Sequence, residues 1–287
     1  MAIKIVTDSS SDIPPDVLKE LDITVVPLYV RFGEEVFKAG QTISNDEFYN
    51  RLTTDTVFPN TIQPSPMDFK QAYEGLSGKA DGIVSIHLSE KFSGTCQSAR
   101  QAVELMEAGC PVVVIDSQSM TIGLGMVCMA AARAARDGAS LQETVRAARE
   151  ALAEIHFQAL FDSIKYIAKG GRIGKAKGMA GTLLNIKPLL SMKDGVVIPV
   201  KMARSVSKGI GELYNYMADA LKEKGNVREL AIMYNTSMQE AKALRERIAP
   251  LFPVEQIIMG QIGPILGAHA GPNVIVIGIR GTVPTSY

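Results

Sequence analysis

The sequence predicts an α/β protein of two domains: an N-terminal one built on a mostly parallel sheet with helices on both faces, and a C-terminal mixed α/β layer domain. Three observations carry this prediction. In the first half, short apolar runs rich in β-branched residues (3–7, 82–88 and 112–116) alternate with helical patterns, as parallel βαβ units require. In the second half, Asp194-Gly195 separates apolar runs at 189–192 and 196–201, a two-residue hairpin signal that implies antiparallel pairing. The length, 287 residues, is ample for two cores.

The elements follow in order. After the strand at 3–7, runs at 24–30 and 35–37 flank Gly33 and predict a small β-hairpin lobe around 24–40. Helix starts are marked by Ser44-Asn45-Asp46-Glu47, Ser140-Leu141-Gln142-Glu143 and Ser237-Met238-Gln239-Glu240, each fitting the capping box in which serine and glutamate satisfy free backbone N–H groups. Ser65-Pro66 is a fourth start, with proline at the first helical position. The longest apolar helical stretch, 122–135, contains Arg133 and is too short to span a bilayer. A helix over 141–153 ends the first domain (1–155), and the boundary with the second (156–287) falls near 153–157. Beyond the Asp194-Gly195 hairpin come a helix at 206–224, a strand at 230–234, a helix at 239–251 and strands at 254–261 and 274–279.

Composition narrows the function. Thirty lysines and arginines balance thirty aspartates and glutamates, so bulk charge favours neither nucleic acid nor an anionic membrane. The opening Met1-Ala2-Ile3-Lys4-Ile5-Val6 runs straight into a strand pattern without signal-peptide features, which leads to the expectation of a cytoplasmic protein. Cys96, Cys110 and Cys128 are odd in number and unpaired by any CxxC spacing, so they read as packed thiols. His87, His156 and His269 lie far apart in sequence, which disfavours a metal centre.

Five polar segments are candidates for chemistry. Thr61-Ile62-Gln63-Pro64-Ser65-Pro66 reads as a proline-locked turn before a helix N-terminus, where free N–H groups favour an anion; Ser65 is the helix cap and Thr61 is free to face a ligand. Ser93 and Thr95 lie in the loop 89–95 beyond the carboxyl end of a buried strand, the position at which open α/β sheets bind ligands. Locally, Ser93 fits a helix cap as well as a ligand donor, and Phe92-Ser93-Gly94 lacks the first glycine of a nucleophile elbow. Lys169-Gly170-Gly171-Arg172-Ile173-Gly174-Lys175 is a basic glycine turn without P-loop spacing, joined further on by Arg204. His269 lies among small residues in 263–272, where an imidazole can approach a ligand closely. Asp8-Ser9-Ser10-Ser11-Asp12 fits turn formation and capping at least as well as metal or substrate binding.

Taken in order, Thr7-Asp8-Ser9-Ser10, Thr61 through Ser65, Ser93-Gly94-Thr95, Gly171-Arg172-Ile173, Lys187-Pro188, Arg204 and Gly267 through Gly271 resemble the DegV family of bacterial fatty-acid-binding proteins, whose members include the lipid-carrying subunit of a two-component fatty acid kinase. The likeness spans essentially the whole chain. It implies a long-chain fatty acid held in a buried apolar tunnel, with its carboxylate on Thr61, Ser93 and His269, and with Thr95 and Ile62 as further ligand-binding residues. It also implies that Arg172 and Arg204 lie near the opening, toward a phosphate or a partner. The expected partner is a fatty acid kinase subunit that converts the carboxylate to an acyl phosphate. This chain then has no catalytic residue, no metal, no cofactor beyond the bound fatty acid, no nucleic-acid partner and no stable membrane insertion. The family's turn reads Thr-Ser-Gln-Pro-Ser, and Ile62 here removes one hydroxyl from it. Two other readings stand beside this one: a Ser93-dependent acyl ester hydrolase, and an α/β protein that binds a small polar metabolite.

Overall fold

The structure is a computed structural model that describes residues 2–179, 186–222 and 227–281. The first half runs β1 (Ala2–Asp8), α1 (Pro15–Glu20), β2 (Ile23–Val26), β3 (Tyr29–Phe32), β4 (Glu35–Lys38), α2 (Asn45–Thr54), β5 (Asn60–Ile62), α3 (Pro66–Ser77), β6 (Ala80–His87), α4 (Thr95–Glu104), β7 (Val112–Asp116), α5 (Thr121–Arg136) and α6 (Leu141–Ala153). Strands β2-β1-β6-β7, in that order, form an all-parallel sheet. Its side chains alternate between two buried faces: Val6 and Ile83 pack with Phe69, Tyr73 and Ala99 of α3 and α4, while Ile3, Ile5, Val84 and Ile86 pack against α5. Both faces are covered, which explains why these strands are apolar throughout rather than alternating.

The predicted small lobe exists but is built differently. Residues 24–30 are not one strand: β2 ends at Val26 and belongs to the parallel sheet, and Pro27, which has no N–H to donate to a ladder, separates it from β3. The lobe is a three-stranded antiparallel sheet, β4-β3-β5, in which Gly33 turns the hairpin at φ 59°. Its third strand comes from residues read as a turn in the sequence, and Thr61 pairs with Val30 there.

The second half runs β8 (Ile155–Leu160), α7 (Lys165–Lys169), β9 (Lys187–Lys193), β10 (Val196–Ala203), α8 (Val206–Lys222), β11 (Glu229–Tyr234), α9 (Met238–Ile248), β12 (Ile257–Gln261), α10 (Pro264–Ala270) and β13 (Ile275–Arg280). Sheet membership changes at Ile155, and the six strands order as β10-β9-β8-β13-β11-β12, antiparallel except for β11 with β12. Asp194 and Gly195 adopt φ 52° and 75°, the paired left-handed residues of a type I′ turn. Residues 254–256 form a short 3₁₀ turn rather than the start of the strand expected over 254–261. The end of the helix expected over 206–224 lies outside the described residues.

Three of the four marked helix starts are capped by their serine, two of them with the full box. Ser65 and Ser140 make reciprocal capping boxes, with Asp68 and Glu143, and the Ser44 hydroxyl accepts the Glu47 N–H. Ser237 makes no cap bond; its backbone at ψ 49° lies outside the extended region that aims a capping hydroxyl.

Helix α5 joins the two halves. It packs on β1 and β6 of one sheet and on β8, β11 and β13 of the other. Gly125 and Gly278 make this possible: a methyl group would lie 2.8 Å from the Ser11 carbonyl at the first and 2.9 Å from Ile122 at the second. One continuous core therefore includes Ile5 and Ile86 from the parallel sheet and Phe157, Ala159, Leu190 and Val276 from the mixed one. The opposite face of the mixed sheet buries Leu160, Leu189, Ile232 and Ile277 under α8 and α9.

Candidate functional site

A cavity of about 380 Å³ opens within this central layer, inside the usual range for a small-molecule site. Its floor follows from strand register. Val276 of β13 faces Ala159 of β8, which faces Leu190 of β9, and all three line the cavity. Leu88, Phe92, Met120, Phe157, Phe161 and Val197 extend the apolar wall.

Polar groups reach this cavity from elements far apart in sequence. Thr61, on β5, forms a 2.9 Å hydrogen bond between its Oγ1 and His269 Nε2. His269 is held by α10, which packs on α2, β3 and β5 and so covers the inner face of the lobe. The imidazole Nδ1 is buried and has no hydrogen-bond partner among the described residues. It lies so close to Gly170 that a methyl group there would come within 2.3 Å, so the glycine turn serves to admit the ring. Burial, with Arg172 alongside, lowers the His269 pKa to about 4, so the ring is neutral near pH 7. A carboxylate that enters meets a neutral imidazole and hydroxyls, which are able to donate without first losing an internal ion pair.

Ser93 lines the same cavity, and its Oγ lies 2.8 Å from Thr95 Oγ1. It does not cap α4, whose N-cap is Gly94, so the capping alternative for Ser93 is set aside. Thr95 is buried at the first turn of α4 and is absent from the cavity wall, where it acts on Ser93 only as a hydrogen-bond neighbour. Ile62 is 39 % exposed and pairs with Tyr29 on the face of β5 opposite Thr61, away from the cavity. The residue in which this chain departs from the family's turn thus points outward. Arg172 lines the cavity and donates from Nη1 to the Gly170 carbonyl at 2.6 Å, while Arg204 is exposed between β10 and α8, off the cavity wall. Lys187 forms an ion pair with Asp162 at 2.6 Å and serves the fold.

Several lining groups had no individual signal in the sequence. Gln63, Ser10, Thr121 and Ser191 all reach the cavity, the last donating to the Phe157 carbonyl at 2.6 Å. Gln63 and Ser10 lie in segments singled out from the sequence, and for Gln63 the position two residues from Thr61 on an extended segment is the signal that points to it.

Within the Asp8–Asp12 segment Ser10 lines the cavity, while Asp8 is bonded into the fold. Asp8 caps a 3₁₀ turn at Ser9–Ser11 and accepts the Leu88 N–H at 3.1 Å. Asp8 Oδ2 also lies 3.0 Å from His87 Nδ1, His87 Nε2 lies 2.7 Å from Ser85 Oγ, and Ser85 Oγ lies 2.8 Å from the Tyr73 hydroxyl. These are the residue types of a serine hydrolase relay, but Ser85, His87 and Asp8 are wholly buried and line no part of the cavity. Among the described residues Ser93 has Thr95 rather than a histidine as its hydrogen-bond partner. Among the cysteines, Cys96 and Cys128 are buried, and burial pushes the Cys128 thiol up to about 12. No helix among the described residues is long and apolar enough to cross a membrane.

Residues 2–281 match the model of a family described as uncharacterised proteins of the DegV family. A DegV domain-containing protein of Caldanaerobacter subterraneus subsp. tengcongensis is 34% identical over 271 residues, covering 94% of this chain and 96% of the relative. Among solved structures, a fatty-acid-binding DegV family protein from Thermus thermophilus superposes with a TM-score of 0.89 at 30% identity, over 98% of this chain and all (100%) of that one. A stearic-acid-binding protein from Eubacterium ventriosum superposes with a TM-score of 0.86 at 26% identity, over 97% of this chain and 98% of that one.

Proposed function

The chain belongs to the DegV family, and on that premise we propose that it binds a long-chain fatty acid in the central cavity, with the carboxylate held by Thr61, Ser93 and His269. The observation that carries this reading is the division of the cavity, apolar along Phe157, Leu190, Val197 and Val276 and lined by Thr61, Ser93 and His269 where β5, α10 and the loop after β6 converge. An acyl chain gains about 0.8 kcal/mol for each methylene it buries. Its carboxylate is costly to bury without donors, and hydroxyls with an imidazole meet that need. A small polar metabolite would leave most of this wall unmatched. Support also comes from the two structural relatives, which bind fatty acids.

In this reading the protein is a cytoplasmic carrier rather than an enzyme. It presents the carboxylate to a separate kinase subunit for phosphorylation to an acyl phosphate, and Arg172, on the cavity wall, and Arg204, exposed beyond it, face the phosphate or that partner. The test is native mass spectrometry of the purified protein with extraction and identification of its ligand, followed by titration of the delipidated protein with stearic acid. Ser93→Ala and His269→Ala should each weaken binding by roughly tenfold or more, the loss of one hydrogen bond to a charged group. Arg204→Ala should leave binding intact and slow phosphorylation by the partner. Delipidated protein that takes up no fatty acid overturns the reading.

A further inference from the structure

Along an extended segment side chains alternate in direction, and 61–63 follow this rule with consequences for the site. Thr61 faces His269, Ile62 turns outward, and Gln63 returns to line the cavity. Gln63 Oε1 accepts the Gly94 N–H at 2.9 Å, and its Nε2 donates to Ser98 Oγ at 3.2 Å. The orientation of the amide follows from chemistry, because a backbone N–H only donates and must meet the carbonyl oxygen. Gly94 is the N-cap of α4 and has no side chain with which to cap it, so an acceptor from the residue after β5 serves the start of this helix.

Gly94 has an ordinary φ of −78°, so the backbone does not demand glycine. Space does. A methyl group at Gly94 would lie 2.6 Å from Gln63 Oε1 and 2.7 Å from Nε2. Thr61 rides on the small antiparallel sheet and Ser93 on the loop beyond the parallel one, and the Gln63 amide bonded to Gly94 ties the two together one residue from Ser93 and two from Thr61.

We infer that Gln63 is a positioning residue: its amide sets the spacing between Thr61 and Ser93 and thereby makes the cavity select a carboxylate head group over a neutral one on the same chain. This inference rests on the fatty-acid reading above. It is tested with the delipidated full chain by competition against a fluorescent fatty acid, using stearic acid and stearyl alcohol as competitors. Gln63→Ala should weaken stearic acid by roughly fivefold, the factor for one neutral hydrogen bond, and leave stearyl alcohol unchanged. Gly94→Ala, which displaces the amide, should reproduce that loss. The double variant should lose no more than either single one, because the new methyl then fills the space the amide vacated. Losses that add in the double variant, or a loss for the alcohol as large as for the acid, overturn the inference while leaving the carrier reading intact. Wild-type protein that binds neither competitor nor probe overturns both.

Discussion

Replacing Asp12 by asparagine should stabilise the protein above about pH 7 and remove a fall in stability between about pH 4 and 7. Asp12 is half-buried at the junction of the two halves, where its carboxyl accepts Thr121 Oγ1–H at 2.6 Å and the Gly263 N–H at 2.8 Å. Burial raises its pKa from 3.8 to about 7; the bonds from Thr121 and Gly263 oppose this, and the nearby Asp8 carboxylate adds to it. Tyr49 also faces the group, and its hydroxyl is raised by burial and by Asp12. In the unfolded chain Asp12 loses its proton near 3.8, whereas the folded protein keeps it until about 7. Across that interval the unfolded state sheds protons first, so stability falls as pH rises and levels off above it. A shift of about three units corresponds to at most about 4 kcal/mol. Asparagine mimics the protonated acid, since Oδ1 accepts from Gly263 while Nδ2 donates to Thr121 Oγ1. Urea denaturation of both proteins from about pH 4 to 8 measures the difference, in which every other titrating group cancels. A difference that stays constant with pH, or an Asp12→Asn protein less stable than wild type at the alkaline end, refutes the reasoning.

Two further outcomes follow from the cavity. Because burial, with Arg172 alongside, holds His269 at about 4, a carboxylate bound beside it raises it, and binding then takes up protons. Fatty-acid affinity should therefore strengthen as pH falls below neutral, and His269→Gln should flatten that slope in calorimetric titrations. Ala159→Phe places a ring between Val276 and Leu190 on the cavity floor and should exclude stearic acid while a shorter acid still binds; an unchanged chain-length series in the competition assay would count against this floor.

Much of the fold was legible because its signals are local. The Asp194-Gly195 turn, the capping serines at 44, 65 and 140, and the apolar runs of the parallel sheet each depend on backbone dihedrals or on burial of one short segment. Where the local signal misled, a neighbour decided the outcome. Pro27 divided a run that looked continuous, and β3 recruited 60–62 into a strand that its own proline-rich surroundings had disguised as a turn.

Residue types and periodicity were enough to determine an α/β protein with anion-compatible loops, and the ordered motifs were enough to point to a lipid-binding family. What they left open was which of those loops meet. Thr61 and His269 are 208 residues apart, and their contact exists because α10 of the second half packs on the lobe of the first. Gln63 and Gly94 find each other in the same way, and the outward turn of Ile62 is visible only once β5 is paired with β3. The acyl wall, likewise, is a property of register: Val276, Ala159 and Leu190 come from three strands and become neighbours only through the sheet. Such convergence depends on long-range packing, for which no single segment carries a signal, and that is why the site's ingredients were readable in the sequence and its geometry was not.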